Sequence, residues 1–178
     1  MRRALLALTL LALPLPARAA PDAAEVRVRQ LLLAHHGVPD AAAWRKAGPE
    51  APQILRRLAA APTAGPWYQD RALDALAALP SPETQAVLQA LLADPEARPA
   101  ARGRAVSSLV VAFGDAAVPE ASRRLDDPAP EVRGAAVAAL ARAGTPPARA
   151  ALDAARRRAR HPDVVEAVER LSGARGAP

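Results

Sequence analysis

The chain has 178 residues, 51% of them hydrophobic, and a formal net charge of +6. That length supports one domain with a sizeable core, and the absence of cysteine excludes disulfides, thiolate nucleophiles and cysteine-ligated zinc. Aromatic residues make up 2%, so a core must be filled by Ala, Leu and Val, which suits closely packed helices, and no run reads as a β-strand.

The first 19 residues, MRRALLALTLLALPLPARA, read as a secretory signal peptide. Arg2 and Arg3 give a positive start, Ala4 to Leu13 an apolar stretch, Pro14 and Pro16 a break, and Ala17-Arg18-Ala19 a cleavage site. The apolar stretch is shorter than the roughly 20 residues that span a bilayer. Cleavage after Ala19 would leave a periplasmic or secreted protein with no membrane span. Arg2, Arg3 and Arg18 leave with the signal and no acid does, so the charge falls to +3, with 21 basic residues against 18 acidic.

From Asp22 onward the pattern is helical. Asp22 to Pro39 gives one helix, either half of a hairpin or a cap. Further apolar faces follow at Ile54, Leu55 and Leu58, then at Val87, Leu88, Leu91 and Leu92. Val106, Leu109, Val110 and Phe113 fall at i, i+3, i+4 and i+7, and Val164, Val165, Val168 and Leu171 form the last face. Ser81-Pro82, Asp94-Pro95, Asp127-Pro128 and Thr145-Pro146 each place a capping side chain before a proline, which predicts helix starts at all four. Gly48, Gly114 and Gly144 predict helix stops.

The faces recur. Trp44, Leu76, Leu109, Leu140 and Leu171 are spaced by 32, 33, 31 and 31 residues, and a fixed period of this size marks a repeat array. The stretch DPAPEVRGAAVAALARAG from Asp127 to Gly144 resembles the HEAT-like repeat named from phycobilin lyases. Asp94 to Gly114 follows it, with Arg102 in place and Ala101 where the family has valine; in Gln69 to Leu79, Gln69 replaces the arginine. The resemblance implies an all-α fold, a right-handed α/α superhelix of about four helical hairpins plus a terminal helix over residues 20–172, with a frayed tail at 173–178. It also implies that second helices line a concave binding face, that Asp94, Arg102, Asp127 and Arg133 are structural, and that the protein binds or scaffolds rather than catalyses.

Catalytic patterns are sparse. Adjacent His35 and His36 point about 100° apart on a helix and do not chelate one metal. Asp126, Asp127 and Glu131 cluster where acids cap helices. Ser107 and Ser108 have no histidine near in sequence, and there is no G-x-S-x-G, H-E-x-x-H or glycine-rich phosphate loop. We therefore expect no enzyme, cofactor or metal.

Two candidate contacts remain. Arg57, Ala90, Arg123 and Arg156 recur every 33 residues, flanked by Arg124, Arg157, Arg158 and Arg160. On second helices they would form a basic stripe suited to the carboxylates of an acidic protein or peptide; the bland reading is a solvated helix face. Trp67 and Tyr68 either plug a junction between hairpins or meet a partner. The mature charge argues against nucleic acid. A monomer is expected, and the alternatives are a lyase-like enzyme or enzyme accessory of the HEAT-like family, or nucleic-acid binding through the arginine stripe.

Overall fold

The computed structural model describes residues 22–33 and 39–173. The signal segment 1–19, His35, His36 and the tail from 174 lie outside the described residues. The fold is all-helical, with no strand among the described residues. It comprises α1 (Ala23–Leu33), α2 (Ala41–Ala47), α3 (Ala51–Ala60), α4 (Pro66–Leu76), α5 (Pro82–Ala93), α6 (Pro99–Phe113), α7 (Val118–Arg123), α8 (Pro130–Ala143), α9 (Pro146–Arg158) and α10 (Pro162–Gly173). Three 3-10 turns, Pro62–Ala64, Gly114–Ala117 and Arg124–Asp126, link or extend them.

The punctuation explains the element boundaries. Proline opens α4, α5, α6, α8, α9 and α10, where its missing N–H costs nothing. Ser81 Oγ accepts from Thr84 N at 3.1 Å and Thr145 Oγ1 from Ala148 N at 3.4 Å, capping α5 and α9. Gly144 stops α8 in the left-handed conformation (φ 62°), its N–H bonded to Leu140 O. Asp94 and Asp127 correct the expectation. Their Oδ1 atoms accept from Glu96 N (2.9 Å) and Ala129 N (3.0 Å), forming Asx turns, and the helices begin later, at Pro99 and Pro130. The second proline of each segment decides this, since it holds Arg98 and Ala129 extended (ψ 133° and 124°) and the helix can start only after them.

Trp44, Leu76, Leu109 and Leu140 are buried on α2, α4, α6 and α8, whereas Leu171 on α10, the last described helix, is 37% exposed. The most extensive pairing joins α6 to α8, and α4 packs on α6. Small residues permit the close approach: a Cβ on Gly103 would lie 3.1 Å from Ala135 Cβ and 3.4 Å from Glu131 O. In the N-terminal half α4 packs chiefly on α3, and α5 packs on α6 and α3. The 3-10 turn at Pro62–Ala64 and Gly65 (φ 89°) fold α4 back onto α3.

Polar contacts repeat at about the sequence period. Arg57 pairs with Glu25, Arg124 donates to Leu92 O, and Arg158 meets Asp126, each 32 residues apart; Arg104 meets Asp74 and Arg133 meets Asp163, each 30 apart.

The most enclosed carboxylate among the described residues is a different one, Asp127, which is 4% exposed. It receives Arg102 Nη2 of α6 at 3.2 Å and, with its other oxygen, faces Arg124 Nη1 at 3.8 Å. Removing one member of such a pair strands a buried charge. Asp127→Ala should therefore cost about 3–5 kcal/mol in urea unfolding, and Arg102→Leu added to it should recover part of that loss. Equal stability of Asp127→Ala and wild type would show that the pair holds nothing.

Candidate functional site

The arginines of the column differ in how they are paired. Arg57 on α3 is ion-paired to Glu25 of α1. Arg123 and Arg124 both hold Glu120, and Arg124 also donates to Leu92 O of α5 at 3.1 Å. Arg158 and Arg160 approach Asp126 at 3.4 and 3.8 Å, with His161 Nε2 3.9 Å from the same carboxylate. Arg156 and Arg157 are exposed and carry no ion pair among the described residues. The stripe is thus largely spent on contacts between helices, and Ala90 leaves a gap in it.

Among the other residues singled out, Trp67 is 47% exposed and meets Tyr68 edge-on, with ring centroids 4.9 Å apart. Tyr68 is half-buried against the core, with the Arg29 guanidinium 4.8 Å from its ring centre. Asp94 is exposed in its turn. Arg133 reaches Asp163 on α10 at 2.9 Å and also donates to Asp127 O and Pro128 O. Where Gln69 replaces this arginine, the polarity reverses: Arg98, arriving from the segment before α6, donates to Gln69 Oε1 at 2.8 Å. Gln69, Arg102 and Arg133 each sit seven residues before an anchor leucine, so one position ties successive first helices by three different pairings.

A hollow of about 500 Å³ lies elsewhere, on the first helices. Pro39 and Asp40 before α2, Asp74, Ala77 and Ala78 at the end of α4, Arg104, Ser107, Ser108 and Val111 on α6, and Arg142 on α8 line it. A smaller hollow of about 190 Å³ opens on α3 and α5 around Ala90. The larger of these two hollows is lined by the anchor-bearing helices, and the smaller by α3 and α5. The repeat carries a signal for the larger one that the apolar stripes conceal: Ala78, Val111 and Arg142 each lie two residues after an anchor leucine, and Asp74 and Ser107 two before.

Within the hollow, Val111 is 58% exposed, the largest exposure among the big apolar side chains of the described residues. Arg104 binds both oxygens of Asp74 (3.1 and 2.9 Å) and lies 3.3 Å from Asp70. Ser108 Oγ donates to Leu73 O at 2.8 Å, which commits its proton. Ser107 and Arg142 have no hydrogen-bond or ion-pair partner among the described residues. The arrangement offers an apolar floor with spaced polar groups, which is the make-up of a binding surface. No cluster of His, Cys, Asp or Glu with metal-ligand geometry occurs among the described residues, and none of their helices is long and apolar enough to cross a membrane.

Three carboxylates among the described residues titrate below their ordinary range; for Glu83 the cause is first the hydrogen bond from the Ser81 side chain. Burial alone would raise Glu120, but hydrogen bonds from Arg124 and then Arg123 outweigh it and hold its pKa down. The Arg133 hydrogen bond does the same for Asp163. A carboxylate depressed in the folded state stabilises above its unfolded pKa, and that contribution is lost as pH falls through the folded value. Glu120→Gln should therefore melt below wild type at pH 7, and the gap should close as the pH drops below the ordinary glutamate range. A gap constant with pH would show that Glu120 is not held by its arginines.

The chain matches no family model, no curated protein and no solved structure, so the reading of its site stands on its own residues.

Proposed function

We propose that this protein is an exported interaction module of the HEAT-like α-solenoid kind, which holds a protein or peptide partner in the first-helix hollow and performs no chemistry of its own. The observation that carries the reading is Val111. An exposed apolar side chain that lines a hollow, on the helix with the most extensive packing in the fold, is stabilised by being covered. The solenoid reading is supported by polar contacts that recur at 30 and 32 residues, since stacking between neighbouring repeats is how such arrays bury faces that one hairpin cannot. A binding role over catalysis is supported by the commitment of Ser108 and Arg104 to structural bonds.

A second reading keeps an acidic partner on the second helices, where Arg156 and Arg157 remain unneutralised. The two separate in one experiment. Mature protein retains a partner from an envelope extract; Val111→Asp should lose it, and Arg57→Glu/Arg123→Glu/Arg156→Glu should keep it, with helical circular dichroism unchanged in both. The opposite pattern moves the site to the arginine column, and retention by both variants refutes each surface.

Export rests on residues 1–19. Intact-mass measurement of the protein expressed with its own start should give a chain beginning at Ala20. A chain retaining Arg2 and Arg3 would overturn both cleavage and the periplasmic or secreted location.

A further inference from the structure

We infer that the first-helix hollow recognises a short extended peptide of mixed charge, with an acidic side chain at the α8 wall, an apolar side chain over Val111 and a basic side chain at the α2 wall. The inference rests on the hollow being the binding site.

The charges lining the hollow do not cancel uniformly. Arg104 and Asp74 satisfy each other through two contacts at 3.1 and 2.9 Å, so the middle of the surface presents no net charge. What remains unmatched is one group of each sign. Arg142 stands exposed in the last turn of α8 with no ion pair among the described residues. Asp40 stands exposed before α2, one oxygen accepting from Ala43 N at 2.8 Å and the other facing no cation among the described residues. Between them lie Val111 on α6 and Ala78 in the turn after α4, which occupy the same repeat position as Arg142 on α8. A ligand lying across the helices therefore meets a cation, an apolar patch and an anion in that order. A wholly acidic ligand would meet an unpaired Asp40, and a wholly basic one an unpaired Arg142, each an uncompensated repulsion.

The spacing sets the ligand's length. Packed helices lie about 8–10 Å apart, so the path from α8 over α6 and α4 to Asp40 covers roughly 20–25 Å. An extended chain advances about 3.3 Å per residue, so about seven residues span it, with the apolar residue near the middle. The unpartnered Ser107 hydroxyl, one helical turn before Val111, is placed to bond the backbone of such a chain.

The test is fluorescence anisotropy with three labelled, end-capped heptapeptides: Glu-Gly-Gly-Leu-Gly-Gly-Lys and its counterparts with Glu at both ends or Lys at both ends. The mixed peptide should bind wild type about tenfold more tightly than either counterpart. Arg142→Glu should weaken the mixed peptide and make the doubly basic one the tightest ligand. Equal binding of all three, an unchanged order in Arg142→Glu, or no binding at all overturns the charge pattern. Val111→Asp separates this from the underlying reading. If peptides bind and Val111→Asp leaves them bound, the hollow is not the site. If Val111→Asp abolishes binding but charge order is immaterial, the hollow stands and the mixed-charge recognition falls.

Discussion

The fold depends on how each helix joins the one an entire repeat away, and the Asp127 carboxylate is where that dependence is most concentrated. It closes the Asx turn that sets the start of α8, takes the Arg102 guanidinium from α6, and faces Arg124 from the turn after α7. One group thereby fixes three elements. A carboxylate this deeply enclosed is tolerated only because its lone pairs are met by a backbone N–H and by cations. The bond is not complete on the other side, since Arg102 Nε is buried without an acceptor among the described residues. Geometry that leaves a donor unmet reflects a compromise between the ion pair and the close α6–α8 contact at Gly103.

Alanine-rich helices explain why such ties recur. Small side chains let helices approach closely but remove little apolar area per residue. Arginines supplement this by lying along neighbouring helices, their stems covering apolar surface and their heads reaching a carboxylate or carbonyl about one repeat away. The same residue type could have made a basic binding stripe. In this chain most of it is engaged internally, and the acids that engage it, Glu25, Glu120 and Asp126, come from neighbouring elements or from three or four residues back in the chain.

Much of the fold was legible in the sequence. Four of the five anchors, the capping Ser81 and Thr145 and the stopping glycines fall where helices bury, begin or end, and Leu171 alone of the anchors is exposed. Asp94 and Asp127 misled because an Asp-Pro pair serves an Asx turn as well as an N-cap, and the later prolines at 99 and 130 settle which. The pairing of α3 with α4 was not legible, because helix faces reveal what is buried and not which neighbour buries it. The candidate surface was missed for a related reason. Periodicity was read for the apolar residues that face inward, whereas Ala78, Val111 and Arg142 share a repeat position while differing in chemistry.

That difference is itself informative about what such a surface can do. Positions that bury a core are held to one chemistry by packing, as the anchor leucines are. A position that faces outward is released from that constraint, and in a repeat array its successive side chains lie in a row on one face. Ala78, Val111 and Arg142 then read as a sequence of contacts presented by α6, α8 and the turn that ends α4. Their spacing is fixed by helix packing rather than by a loop, so a ligand that matches it meets groups already in place, and the ordering cost of binding falls mainly on the ligand.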